Sequence, residues 1–223
     1  MRNGASLLQG LFITVEGPDG SGKTTLVSEL SKCLSEKIKI PLVTTREPGG
    51  SDVAEKIREL VLDAEYVEMD NRTEALLYAA SRRQHIVEKI KPALERGEVV
   101  LCDRFVDSSI AYQGAGREIG VEEVATLNQF ATENLTPDLT LYLDVDAQTG
   151  LNRIAHKDSN RLKDRLELEE ITFHNRVQAA YQTLLKDNPD RMHRIDAAQT
   201  PEKVFMDSWK VIQDTLQTFD LLK

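Results

Sequence analysis

Three observations predict an α/β fold in which a mainly parallel, five-stranded sheet lies between layers of helices. Short apolar runs recur at Leu11–Val15, Leu42–Thr45, Val99–Cys102, Leu139–Leu143 and Met192–Ile195, separated by longer stretches with helix-spaced apolar residues. These runs are nearly continuous rather than alternating, which is the pattern of strands buried on both faces. The motifs that carry charge or glycine follow the runs, at the strand ends where doubly wound sheets bind ligands.

The first run, Leu11–Val15, is followed by Gly17-Pro18-Asp19-Gly20-Ser21-Gly22-Lys23-Thr24 and then by helix-like Thr25-Leu26-Val27-Ser28-Glu29-Leu30. This is G-x-x-x-x-G-K-[ST] in the strand–loop–helix setting that a phosphate-binding loop requires. Backbone N–H groups must turn inward around a polyphosphate, and a Cβ at Gly17, Gly20 or Gly22 is expected to obstruct them. Lys23 adds a cation, the helix beginning near Gly22 adds its positive end, and the Thr24 hydroxyl suits the Mg²⁺ that accompanies a triphosphate. A nucleotide is thus the first expected partner.

After the second run, Arg46-Glu47-Pro48-Gly49-Gly50 sets a cation beside an anion and then turns the chain. A structural ion pair and a functional pair are both compatible with that spacing. From Asp70 to Glu95 a long helical pattern is predicted, with a kink near Lys91 caused by Pro92 and a stop at Gly97. Tyr78 and Arg82 lie four residues apart on it and face the same way, either to hold a planar base or as a surface contact. Arg83 and Arg58 read equally well as solvated charges.

The third run ends in Asp103-Arg104, where a nucleotide-processing enzyme presents a carboxylate to Mg²⁺ and an arginine to phosphate. Ser108, Ser109 and Gln113 follow, groups suited to a base edge, although Ser108 also fits a helix cap. The stretch His156-Lys157-Asp158-Ser159-Asn160-Arg161-Leu162-Lys163-Asp164-Arg165 is polar and weakly periodic, so it is expected to be an exposed loop and the candidate lid. Arg153, Arg161, Lys163 and Arg165 give that region positive charge, either to close over a transferring phosphoryl group or simply to meet solvent.

A chain of 223 residues supports one domain, here 11–223 after an N-terminal extension 1–10 that matches nothing. With 40% apolar and 29% charged residues it reads as a soluble enzyme, and no apolar run approaches the roughly 18 residues of a membrane span. Without a secretory-type leader it is expected to be cytoplasmic. Cys33 and Cys102 form no disulfide framework or metal spacing and read as core or near-core thiols. The net charge of −9 argues against a nucleic-acid coat but permits small anionic substrates held by a local arginine cluster.

Taken in order, these motifs closely resemble the bacterial thymidylate kinases over nearly the entire chain. The resemblance rests on Glu16-Gly17-Pro18-Asp19-Gly20-Ser21-Gly22-Lys23-Thr24-Thr25, Thr45-Arg46-Glu47-Pro48-Gly49-Gly50, Leu76-Leu77-Tyr78-Ala79-Ala80-Ser81-Arg82 and, most specifically, the twelve-residue run from Asp103 to Gly114. Asp164-Arg165-Leu166-Glu167 looks like the family's lid motif, and Asp196-Ala197-Ala198-Gln199-Thr200-Pro201 like its adenine-side loop.

The resemblance implies a P-loop NTPase three-layer fold, phosphoryl transfer from Mg-ATP to dTMP in dTTP synthesis, and a homodimer formed by the helix after Asp103 and the long helix before it. It implies that Gly17, Pro18, Asp19, Gly20, Ser21, Gly22, Lys23, Thr24, Thr25 and Gln199 bind ATP, with Thr24 at Mg²⁺. Asp19, Glu47, Arg58, Tyr78, Arg82, Arg104, Ser109 and Gln113 would hold dTMP: Arg58 at its phosphate, Tyr78 stacked on thymine, and Arg82, Ser109 and Gln113 at its polar edge. Lys23, Arg104 and Arg165 would share the developing charge, with Asp103 beside Arg104. Gly20 stands where another branch of the family has an arginine, which favours the branch whose lid supplies it. Rival expectations are a different nucleoside monophosphate acceptor, a nucleotide-binding regulatory switch, and a chaperone-like subunit of a larger assembly.

Overall fold

The computed structural model describes residues 10–157 and 164–223. Its centre is a five-stranded parallel sheet of β1 (Leu11–Glu16), β2 (Leu42–Arg46), β3 (Val99–Asp103), β4 (Leu139–Asp144) and β5 (Met192–Asp196), in the order β2-β3-β1-β4-β5. Every residue of β1 and β4 is buried, as continuous apolar runs require, whereas the edge strand β2 is half exposed. The two threonines inside the central strands satisfy each other: Thr14 and Thr140 share a hydroxyl hydrogen bond of 2.8 Å across β1 and β4.

The sheet's two faces bury different partners. Leu11, Ile13 and Val15 point toward α1 (Lys23–Lys37) and the C-terminal helix α9 (Pro201–Thr218), forming one core with Leu141, Leu143, Ile212 and Leu216. Phe12, Val100 and Cys102 point the other way, onto Ile86, Ile90, Leu94 and Phe105. Under the β4–β5 half, Tyr142 and Met192 meet Tyr112 and the helix α8 (Ile171–Asp187) through Phe173, Val177 and Tyr181. The period-2 alternation of the strands therefore makes three layers. Cys102 is buried and Cys33 half-buried, as expected of core and near-core thiols.

The remaining α-helices of the described residues are α2 (Asp52–Leu62), α3 (Asn71–His85), α4 (Lys91–Glu95), α5 (Val106–Ser109), α6 (Val121–Thr132) and α7 (Ala147–Lys157). The kink expected near Lys91 takes another form and place: a π-helical segment, Ile86–Ile90, joins α3 to α4. Pro92 cannot donate to a carbonyl one turn back, and widening the helix just before it absorbs the missing bond. Asp70 caps α3, its carboxylate accepting from the N–H groups of Arg72 and Thr73 at 3.0 and 3.1 Å. Among the described residues no helix is long and apolar enough to cross a membrane.

Candidate active site

The chain leaves β1 toward β2 and leaves β3 toward β4, in opposite directions across the sheet, which opens a crevice at their carboxyl ends. A cavity of about 860 Å³ occupies it. At one end lie Asp19, Gly20, Ser21, Gly22, Lys23, Thr24 and Thr25; at the other, Arg58, Tyr78, Arg82, Ser109 and Gln113; Glu47, Asp103, Arg104 and Gln199 line it too. Gly17, Pro18 and Arg165, also expected at the site, do not line it.

In the phosphate-binding loop, Gly17, Gly20 and Gly22 all have positive φ, but for different spatial reasons. A Cβ on Gly20 would sit 2.0 Å from the Gly150 carbonyl oxygen of α7, so neither an arginine nor an alanine fits there. At Gly22, by contrast, a Cβ meets no atom of the chain within 4 Å, so within the protein itself the φ of +93° alone calls for glycine. Gly22 opens α1 with this left-handed turn.

Lys23 is folded onto its own loop, donating to the carbonyls of Gly17 and Pro18 at 3.0 and 2.7 Å and to Ser21 Oγ at 3.3 Å. Burial, with the Arg104 guanidinium nearby, pushes its ammonium down to about 8. Thr24 donates to Asp103 Oδ2 at 3.0 Å, which places a hydroxyl and a carboxylate oxygen together at the loop's mouth. Among the described residues no group of three or more His, Cys, Asp or Glu could hold a metal ion.

Arg104 stands between the two ends of the cavity, in a left-handed conformation with φ of 71°. Its guanidinium donates to Asp19 Oδ1 at 2.5 Å, Gly17 O at 3.1 Å and Ser108 Oγ at 3.0 Å, and lies over the Tyr112 ring. Burial alone would raise Asp19, but Arg104 and Lys23 outweigh it and hold that carboxyl below the ordinary range. Ser108 is not a helix cap: its hydroxyl donates to Glu16 Oε2 at 2.6 Å. Glu16 also accepts from Phe105 N at 2.6 Å and Tyr181 OH at 2.8 Å, and burial, with Asp107 close by, pushes it up to about 7.

At the other end, Arg46 and Glu47 do not pair with each other. Arg46 donates outward to Glu55 at 2.8 Å, while Glu47 turns inward to accept from Arg82 Nε at 2.6 Å and sits 3.0 Å from His85 Nδ1. Arg82 also donates to Ser109 Oγ and to the Phe105 carbonyl, each at 2.9 Å, and to Asn128. Most of its N–H groups are therefore committed to holding it still. Tyr78 is buried beside it on the cavity wall, and burial raises its phenol. Arg58 donates to the Pro48 carbonyl at 2.9 Å, and burial lowers its guanidinium. Arg83 reaches the surface partner Glu133 at 2.9 Å, in keeping with its solvated reading.

On the candidate lid, Arg153 and His156 belong to α7 rather than to a loop. Arg153 lines the cavity and donates to the Ala197 carbonyl at 2.9 Å. Asp164 lines it as well, its carboxylate raised by burial to about 6, and its Oδ1 accepts from Leu166 N and Glu167 N, each at 3.0 Å. Arg165 is buried, donating to Glu74 and to the Tyr66 carbonyl at 3.1 Å. Arg161 and Lys163 lie outside the described residues. Gln199 donates to Asp196 O and to Asp207, each at 3.1 Å.

Two buried carboxylates at the site are given no role by the sequence. Glu16 is a charge at the end of an apolar strand, one residue before the loop. Glu74 precedes Tyr78 and Arg82 by four and eight residues, so helical spacing alone places it on their face, where it accepts from Gln113, Arg117 and Arg165.

The chain is similar to known proteins along most of its length. A family model described as thymidylate kinase matches residues 15–207. The thymidylate kinase of Enterococcus faecalis is 55% identical over 92% of this chain and 96% of its own length. That of Lacticaseibacillus casei is 57% identical over 88% of this chain and 92% of its own. Among solved structures, the thymidylate kinase of Ehrlichia chaffeensis superposes with a TM-score of 0.74 at 34% identity, over 91% of this chain and 98% of its own. A family model that matches most of the chain, with relatives at this identity and coverage on the same fold, places the chain in the thymidylate kinase family.

Proposed function

We propose that this chain, with residues 11–223 acting as one catalytic domain, transfers the γ-phosphoryl group of ATP to dTMP, giving ADP and dTDP for dTTP synthesis. The observation that carries the reading is a single cavity with a phosphate-binding loop at one end, a planar-base wall at the other and Arg104 between. The acceptor phosphate is already an anion near neutral pH and needs no base, so positioning and charge neutralisation account for the rate.

In this reading the loop from Gly17 to Thr25 holds the ATP phosphates through its backbone, with Lys23 turning from its carbonyl partners to the anion. Arg104 bridges donor and acceptor phosphates, a role supported by its clamp from Asp19 and the Gly17 carbonyl. Arg58 takes the dTMP phosphate, Glu47 fixes Arg82, Tyr78 stacks on the base, and Arg82, Ser109 and Gln113 face its polar edge, while Gln199 lies on the adenine side. Thr24 and Asp103 supply the hard oxygens that Mg²⁺ favours, and the ion, when bound, neutralises phosphate charge. Of the lid cations, Arg153 already lines the cavity, whereas Arg165 enters it only if its bridge to Glu74 opens. The site of reaction is inferred to be the cytoplasm, where both substrates occur, and the working form a homodimer.

The deciding experiment is a coupled ADP-release assay with and without dTMP, with dTDP identified chromatographically. ADP release should require dTMP, and Arg104→Ala should lower kcat by about 10²–10³-fold, the usual effect of removing one transition-state donor. Slow ADP release that ignores dTMP would instead indicate a regulatory nucleotide switch.

A further inference from the structure

Glu74 is fully buried beneath the base-binding end of the cavity. Arg117 lies 3.0 Å from its Oε2, and Arg165 bonds to the same oxygen. Into this arrangement Gln113 donates its amide nitrogen to Glu74 Oε1 at 2.9 Å. A carboxylate facing two guanidinium groups offers only acceptors, so only the NH₂ end of Gln113 satisfies it. The amide therefore cannot flip without setting two oxygens against each other in a buried site. Its carbonyl oxygen, which receives no hydrogen bond among the described residues, is left as the acceptor on the cavity wall that Gln113 lines.

The chemistry of the base then decides what fits. Thymine presents a ring N–H that donates to such an oxygen. Cytosine presents a lone pair at the same ring position and would need the opposite amide orientation. We propose that Glu74 is a positioning residue: it locks the Gln113 amide with its carbonyl toward the acceptor base, so that a pyrimidine bearing a ring N–H is accepted and cytosine is refused. The inference rests on dTMP being the acceptor.

The test compares KM for dTMP with KI for dCMP as its competitor, in the parent, in Glu74→Gln and in the exchange variant Glu74→Gln/Gln113→Glu, with thermal melting as the check on folding. In Glu74→Gln the new amide both donates and accepts, Gln113 is released, and the preference for dTMP over dCMP should narrow roughly tenfold or more. The exchange variant keeps one amide and one acceptor-only carboxylate in the pair, so the preference should stay within about threefold of the parent. A purely structural role would weaken both nucleotides in proportion and leave their ratio unchanged in Glu74→Gln, which overturns the proposal. If Glu74→Gln does not fold, the exchange variant decides alone: a retained preference supports the proposal and a collapsed one overturns it. Failure of the kinase reading looks different, because the parent itself would then form no dTDP.

Discussion

Lys23 shows how the loop prepares a charge for its ligand. Its ammonium donates to two carbonyls and a hydroxyl, and burial with a neighbouring guanidinium still pushes it down to about 8. A polyphosphate brought against it adds negative charge and moves the group back toward its ordinary value near 10. The sign follows directly. Between about pH 8 and 10 the free loop has lost a proton that the bound loop holds, so ATP binding takes up a proton and ATP affinity falls as pH rises through that window. Calorimetry at pH 8.5 in buffers of different ionisation enthalpy should return an uptake of about 0.7 proton per ATP. An uptake of zero would mean that Lys23 is already fully charged in the free loop. Glu16, behind Arg104, is displaced the opposite way, since burial favours its neutral form.

At the scale of elements, the strands and the loop were legible because each is written in one stretch of sequence: continuous apolar runs for a sheet buried on both faces, and fixed glycine and lysine spacing for the loop. What neighbouring elements do to a side chain was not. Arg46 and Glu47 are adjacent, yet alternation along β2 and the turn after it sends one outward to Glu55 and the other inward to Arg82. Arg165 belongs to a basic lid by composition, but its partner Glu74 lies far off on α3 and could not be read from spacing near the lid. At Gly20 the need for glycine is only partly local, because the backbone of α7 also excludes a side chain there. This separates two otherwise similar variants. Gly22→Ala meets open space and should cost only its left-handed strain, about 1–2 kcal/mol, or a few degrees in Tm for a chain of this size. Gly20→Ala bears the same strain and in addition drives a methyl into the Gly150 carbonyl, so its Tm should fall further and its ATP affinity should drop with it. Equal melting temperatures would show that α7 yields freely to the loop.

For the whole molecule, a net charge of −9 coexists with a cavity whose lining balances Lys23, Arg46, Arg58, Arg82, Arg104 and Arg153 against Asp19, Glu29, Glu47, Asp103, Asp164 and Glu167, so the chain's surplus of negative charge is not carried into the cavity. The surface away from the cavity bears on the proposed homodimer. The helical stretch following Asp103, expected at the interface, is α5 continued by a π-helical segment, Ile110–Gly116, and is mostly inside: Ser108, Ser109, Ala111, Tyr112 and Gln113 are buried. Exposed apolar side chains occur on several elements, among them Leu76 on α3, Val87 on the segment after it and Phe130 on α6, and α3 packs directly against α6. Phe130 is 88% exposed, an unusual setting for a ring of that size, and a two-fold interface over this face would bury it twice. Burying one such side chain contributes about 1.5–3 kcal/mol, so Phe130→Asp should weaken dimerisation by on the order of a hundredfold or more. Sedimentation velocity at micromolar concentration should show the parent as a dimer and the variant as a monomer, with the melting profile of the isolated fold little changed because Phe130 is 88% exposed in its own chain. A variant that sediments as the parent does would place the interface on another face of the molecule.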